Sequence, residues 1–321
     1  MTHDTDAHEH DEHDHDHEHE HESGPLAELV TVRDWLRYAV TRFNRGQVFC
    51  GHGVTSVFDE AAWLILSSLA LPIDRLDPFL DACIPSDERV ALFDNIERRV
   101  VERVPTAYLV KEAWLGDFRF YVDERVIVPR SFFAELLDEG FSPWIEDPDT
   151  VTSALDLCTG SGCLAILMAH VFPNADIAAV DLSEDALAVA RRNVDDYGLG
   201  DQVELIRSDV FSNVGDRRFD LILSNPPYVT ADAMAALPAE YRHEPEMALA
   251  AGSDGLDIVR TLIAEAASHL HPEGILAVEV GHNRELVESA FPELPFNWLS
   301  TRGGEDMVFI LRREDLPGAQ D

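Results

Sequence analysis

The sequence predicts an α/β protein: a seven-strand doubly wound sheet preceded by a small helical domain and a linking β-hairpin. Three observations carry this. From Ser153 onward, short apolar runs suited to strands alternate with helical segments, as in a parallel sheet covered on both faces. Before that, from Leu26 to about Val110, apolar residues recur at near-helical spacing. Between the two, Trp114 to Val128 alternates as a pair of strands does.

In chain order, residues 2–22 hold eight His and ten Asp or Glu, with no Lys or Arg. A tract with no apolar face to bury is expected to be disordered, so residues 1–23 are assigned as a tail. Its imidazoles and carboxylates could bind zinc, nickel or copper loosely, without the fixed spacing of a structural site. The helical domain follows at 24–112. Leu26-Ala27-Glu28-Leu29-Val30 leads into a face of Val32, Trp35, Leu36, Ala39 and Val40. Asp59 to Ala70 is a further helix ended by Leu71-Pro72, and Ser86 to Val104 another, with Ser86 as N-cap and Pro105 as the stop.

Residues 113–129 form the hairpin, with Phe118, Phe120 and Val122 on one face and Arg119 and Tyr121 on the other. Pro129 breaks it, and Ser131 can cap a helix from Phe132. The α/β domain occupies 130–313, with strands near 153–158, 176–181, 203–207, 219–224 and 274–280 and helices near 163–171, 184–197 and 254–270. Two last strands flank the turn at Gly303-Gly304, and 314–321 is a C-terminal tail.

The 321 residues are 46% hydrophobic, enough for full cores, and carry a formal net charge of −37. Ten of the 61 acidic residues lie in the tail, so 51 acidic against 24 basic residues still leave the remainder near −27. Phosphate backbones would repel such a surface, so bare nucleic acid is a poor partner and a basic protein a better one. No apolar run approaches the ~18 residues of a membrane span, and no basic-then-apolar signal peptide opens the chain, so a cytoplasmic location is expected. Cys50, Cys83, Cys158 and Cys163 show neither zinc-ligand spacing nor a disulfide framework and are expected to be buried small hydrophobes.

The chemistry concentrates at strand ends. Leu221-Ile222-Leu223-Ser224 reads as a buried strand that Asn225-Pro226-Pro227-Tyr228 must stop, because prolines have no N–H to give a sheet. In that corner the Asn225 side-chain oxygen and the Pro226 carbonyl are acceptors, Pro227 restricts the backbone before it, and Tyr228 offers a π face. Two acceptors and an aromatic plate suit a planar –NH₂ group. Such a nitrogen is a weak nucleophile, its lone pair delocalised; holding both N–H bonds aligns it with an electrophile and stabilises the charge that develops. Arg130, at the rim, suits either a structural ion pair or a substrate contact.

The first strand runs into Asp156-Leu157-Cys158-Thr159-Gly160-Ser161-Gly162-Cys163, where glycines let a ligand approach the backbone at a helix start. Asp156, Thr159, Gly160 and Gly162 are therefore candidate cofactor residues. Asp181, ending the second strand, can take two ribose hydroxyls, and Asp209, beside Val210 after the third, can accept from an adenine amino group. With Asn225 after the fourth, all lie where doubly wound sheets bind ligands. A nucleoside-type cofactor is expected, and no metal in the folded body.

Together these residues resemble the Rossmann-like class I S-adenosylmethionine-dependent methyltransferases. More narrowly, residues 26–313 are similar to the HemK/Prm family of protein N5-glutamine methyltransferases. The resemblance implies that S-adenosylmethionine is the cofactor, with Gly160 and Gly162 bordering its methionine part and Asp181 holding its ribose. It also implies a helical domain that binds a protein substrate, and a corner, Asn225-Pro226-Pro227-Tyr228, that holds a glutamine amide.

Arg42-Phe43-Asn44, Gly51-His52-Gly53, Asp59-Glu60-Ala61, Val128-Pro129-Arg130-Ser131 and Cys158 through Cys163 are similar to the branch acting on ribosomal large-subunit protein L-three. A release-factor branch is the alternative; it usually has Gly where Cys158 stands, Thr where Ser161 stands, and Ile-Pro-Arg-Pro in place of Val128-Pro129-Arg130-Ser131. Glu279 resembles a family position, for which a structural role is expected, and His52 has no derived chemical role. DNA adenine N6-methyltransferases share the corner but must embrace phosphates, which this acidic chain is badly equipped to do. A nicotinamide dehydrogenase leaves the corner unexplained, and a non-enzymatic ribosome-assembly binder or metal carrier leaves the intact cofactor positions so.

Overall fold

The helical part begins with α1 (Pro25–Glu28) and α2 (Val32–Arg45). Thr31 and Asp34 exchange side-chain and backbone hydrogen bonds in a capping box that starts α2. Val32, Trp35, Leu36, Ala39 and Phe43 form its buried stripe. Next come α3 (Val57–Ser68), capped by Ser56, then α4 (Ser86–Glu97) and α5 (Thr106–Val110). Ser86 is not the N-cap that its sequence position suggests: Pro85 takes that place and Ser86 is the first helical residue. Nor does α4 run to Val104, because Arg98–Glu102 widens into a π-turn and Arg103 turns left-handed. Trp35, Phe43, Leu64, Ile65, Leu92 and Ile96 sit together in the core of this part.

The hairpin is shorter than the alternation predicts. Only β1 (Ala113–Leu115) and β2 (Phe118–Phe120) pair. Beyond them the Asn193 side chain takes both the N–H and the C=O of Tyr121, so these backbone groups are satisfied without a ladder. A short helix α6 (Phe133–Asp138) follows, with the Phe133 N–H donating to Ser131 Oγ at 3.1 Å.

The α/β part contains, in order, β3 (Ser153–Leu157), α7 (Cys163–Val171), β4 (Asp176–Asp181), α8 (Glu184–Asp196), β5 (Val203–Arg207), β6 (Phe219–Ser224) and α9 (Ala231–Ala236). It closes with α10 (Asp257–Glu265), β7 (Leu270–Glu279), α11 (Arg284–Ala290), β8 (Asn297–Thr301) and β9 (Gly304–Arg312). The seven strands lie in the order β5-β4-β3-β6-β7-β9-β8. β9 alone runs antiparallel to its neighbours. Alternate residues of each central strand enter different cores: Ala154, Leu221, Leu223 and Ile275 on one face, Leu155, Leu157, Ile222 and Leu276 on the other. Strand order reverses between β3 and β6, and a doubly wound sheet opens a crevice at that point.

The segment after β6 returns to the helical part. Arg99, fully buried, bonds Glu60 at 2.6 Å and Glu240 at 3.3 Å, and Glu240 also accepts the Phe49 N–H at 3.0 Å. All four cysteines are free: Cys163 is buried and Cys50 and Cys158 partly so, but Cys83, whose backbone pairs with Thr31 in an isolated β-bridge, is exposed, contrary to expectation.

This computed structural model describes residues 24–319, so the tail, with its expected disorder and metal binding, lies outside the described residues. Among the described residues no cluster of His, Cys, Asp or Glu could hold a metal, and no helix is long and apolar enough to cross a membrane.

Candidate active site

β6 is tied to β3 at its carboxyl end, where Ser224 Oγ donates to the Leu157 carbonyl at 2.8 Å. The next residue, Asn225, donates through Nδ2 to the main-chain carbonyl of Arg130 at 3.4 Å. That bond orients the amide, leaving Oδ1 on the other side; no described residue donates to it or to the Pro226 carbonyl. The Tyr228 carbonyl accepts from Asn283 Nδ2 at 2.7 Å. Its ring lies so close to Gly281 that a Cβ there would stand 2.8 Å from Cε2. Gly281 also has φ +54, so only glycine suits both constraints.

Glu279 braces this corner from below. It is buried and accepts from Ser131 Oγ at 2.5 Å and from the Phe132 N–H at 3.0 Å. Burial pushes its carboxyl up to about 7, against the lowering effect of those bonds. Burial, and then the nearby Glu279 charge, push the Tyr228 phenol upward. The Arg130 guanidinium is held by Glu244 through bonds of 2.5 and 2.7 Å, and Glu244 also takes the Val128 N–H at 2.9 Å. Burial would raise Glu244, but the Arg130 bonds win and hold it at about 2.

Over the ends of β3, β4, β5 and β6 lies a cavity of about 330 Å³. Of the residues singled out from sequence, Gly160, Asp181, Asp209, Val210, Asn225 and Pro227 line it. Asp181 accepts the Gly160 and Ser183 N–H groups, each at 2.9 Å, and burial raises its pKa. Asp156, Thr159 and Gly162 stand behind the wall and shape the loop. Asp156 accepts from Thr159 Oγ1 at 2.6 Å and from the Ala165 N–H at 3.1 Å, and its fully buried carboxyl is pushed up to about 7 by desolvation. At Gly162, with φ +79, a Cβ would crowd Ala190 at 3.1 Å. Pro226, Tyr228 and the Arg130 guanidinium are not on the cavity wall.

Sequence reasoning missed other parts of the wall. Cys158 borders it, as do Glu124, Arg125, Val126 and Ile127 from the linker and Met247 from the segment after the corner. These carry no motif; only Cys158 lay within the glycine loop already singled out.

The wall suits a cationic nucleoside. Asp181, Asp185, Asp209 and Glu124 line it, whereas its one arginine, Arg125, is paired with Asp123 at 2.6 Å. The position a Gly160 Cβ would take is open, and one Asp156 oxygen, Oδ1, is buried without a partner. The first leaves room for a ligand against the loop backbone, and the wall carboxylates favour one carrying a positive group.

Residues 131–240 match the methyltransferase small domain family. A ribosomal protein uL3 glutamine methyltransferase of Neisseria gonorrhoeae is 56% identical over 293 residues, 91% of this chain and 98% of that protein. Counterparts from Burkholderia pseudomallei and Bradyrhizobium diazoefficiens are 54% and 50% identical, spanning 89% and 90% of this chain and 96% and 92% of theirs. The chain belongs to the ribosomal protein uL3 glutamine methyltransferase family. It is thus a class I methyltransferase, and S-adenosylmethionine is its cofactor. Membership of the uL3 family also favours the L-three branch over the release-factor and DNA-adenine alternatives.

Proposed function

We propose that this chain methylates the side-chain amide nitrogen of a glutamine in ribosomal protein uL3. One observation carries the reading: Asn225 is oriented by the Arg130 carbonyl so that an acceptor, Oδ1, is left free, as is the carbonyl of the next residue, Pro226. The two N–H bonds of a glutamine amide match that pair. Tyr228 packs against the amide and adds a cation–π contribution of roughly 0.5–2 kcal/mol as positive charge grows on nitrogen. Pro227 stiffens the turn.

When bound, S-adenosylmethionine supplies an electrophilic methyl group. Gly160 gives it backbone access, Asp181 its ribose contacts, and Asp209 and Val210 the adenine end. Asp156, Thr159 and Gly162 act on it through the loop they brace. Asn225 and Pro226 hold the nitrogen in line, and the surplus proton departs late to water, since the methylated amide nitrogen is strongly acidic while it is still cationic. No general base is needed. Arg130 contributes its carbonyl, and its guanidinium, committed to Glu244, holds that carbonyl in place.

In this reading the helical part, 24–112, receives the acceptor, the hairpin of 113–129 links it, and 130–313 performs transfer in the cytoplasm. The net charge of −37 would steer a basic ribosomal protein toward it. The test is incubation with labelled methyl donor and either uL3 or a release factor, followed by mass spectrometry. Label on a uL3 glutamine is expected; label confined to the release factor would sink the reading.

A further inference from the structure

A second cavity, of about 240 Å³, lies between the helical part and the hairpin and shares no wall residue with the first. His52, Asp59, Trp63, Ile73, Trp114 and Val128 are on its wall. Three polar atoms there are buried without a hydrogen-bond partner: both ring nitrogens of His52, which is only 4% exposed, and Trp63 Nε1. Trp114, by contrast, has spent its N–H on Glu112 at 3.0 Å. A buried donor with no acceptor is rare in a finished fold and marks a place where something else supplies the partner.

The cavity adjoins the scaffold of the active corner. Val128 precedes Arg130 by two residues, and His52 Nε2 lies 3.6 Å from Glu244, the carboxylate that grips Arg130. That distance is too long for a hydrogen bond but puts the two side chains in contact. The Asp59 carboxylate on the wall has no cationic partner among the described residues, and the chain as a whole is strongly acidic. Two indoles, a free carboxylate and apolar walls suit a long cationic side chain, its stem on apolar surface and its head near Asp59.

We propose that this slot binds a lysine or arginine of the acceptor polypeptide close to its target glutamine. The acceptor's backbone carbonyl takes the Trp63 N–H, and His52 bonds its backbone from the other side. The slot thereby sets which glutamine reaches Asn225. This rests on the reading that the chain methylates uL3.

The test is steady-state kinetics on uL3 with two variants whose folding is checked by thermal melting. Trp63→Phe removes the N–H and keeps a ring; Asp59→Lys reverses the charge. The expected result is a KM for uL3 raised about fivefold by the first and about tenfold or more by the second, with kcat and the donor KM within about twofold. In the reciprocal arm, basic residues flanking the target glutamine are changed to glutamate one at a time. One such acceptor should lose affinity for the wild type and regain it with Asp59→Lys. An acceptor KM unchanged in both variants, or no rescued acceptor, overturns the proposal while wild-type transfer to uL3 leaves the functional reading standing. No wild-type transfer overturns both.

Discussion

Glu244 and Arg130 form a two-bond ion pair of 2.5 and 2.7 Å, joining residues more than a hundred positions apart beneath the corner that carries Asn225. The Arg130 backbone is thus held where its carbonyl orients the Asn225 amide. The geometry at the corner thus depends on a salt bridge whose two residues lie off the cavity wall.

Replacing Asn225 with alanine removes one of two acceptors. Turnover on uL3 should fall by at least about 100-fold, as loss of one aligned polar group does in comparable sites. Donor binding, measured by titration calorimetry, should persist. Near-normal turnover would take Asn225 out of the mechanism.

Asp181→Asn acts on the cofactor instead. Asn keeps one acceptor but must turn an N–H toward either the Gly160 or the Ser183 N–H, which Asp181 now satisfies. Donor affinity should drop by about tenfold or more, with the uL3 KM little changed. Equal losses for both substrates would point to a collapsed loop.

The Glu244 carboxyl, at about 2, lies below its ordinary 4.5. Its contribution to stability is therefore complete above pH 4.5 and lost as the pH falls toward 2, by roughly 3 kcal/mol. Urea unfolding between pH 7 and 3 should show about 2 kcal/mol of that loss in the wild type and a flatter curve in Glu244→Gln, which starts weaker because Arg130 has lost its counter-charge. Parallel curves would refute the assignment.

Glu279 behaves in the opposite sense. Raised from 4.5 to about 7, it ionises more readily unfolded, so stability is complete below pH 4.5 and declines as the pH climbs to about 7. Glu279→Gln retains an acceptor for Ser131 and Phe132, and should exceed the wild type at pH 8 by on the order of 1–3 kcal/mol. Asp156, also near 7, keeps part of the slope in both proteins. A variant weaker than wild type at pH 8 contradicts this.

Gly281→Ala should strike Tyr228. The added methyl meets the ring and the backbone is left-handed, a strain of about 1–3 kcal/mol. The expected outcome is a kcat on uL3 lowered by tenfold or so with donor affinity intact. Unchanged kcat would show that the ring's position does not matter.

Much of this molecule was legible in one dimension because its signals are local. The strands 176–181, 203–207 and 219–224 coincide with their apolar runs. Asp181, Asp209 and Asn225 could be placed at strand ends because loop chemistry is written beside the strand it follows. Errors arose where a neighbour far along the chain competed: Asn193 took the Tyr121 backbone out of the expected hairpin. At α4, Ser86 looked like a cap, yet Pro85 already held the extended backbone that a cap position needs.

By itself, the sequence determined the sheet, the proline-stiffened corner and the glycine loop, since periodicity and φ restrictions act within a few residues. Tertiary structure alone decided that the Arg130 guanidinium pairs with Glu244 while its carbonyl meets Asn225, that the Glu244 and Glu279 carboxyls are shifted in opposite directions, and that His52 and Trp63 line one cavity. Those outcomes depend on which distant surfaces meet and on how much water each carboxylate loses there, and neither quantity is carried by neighbours in the chain.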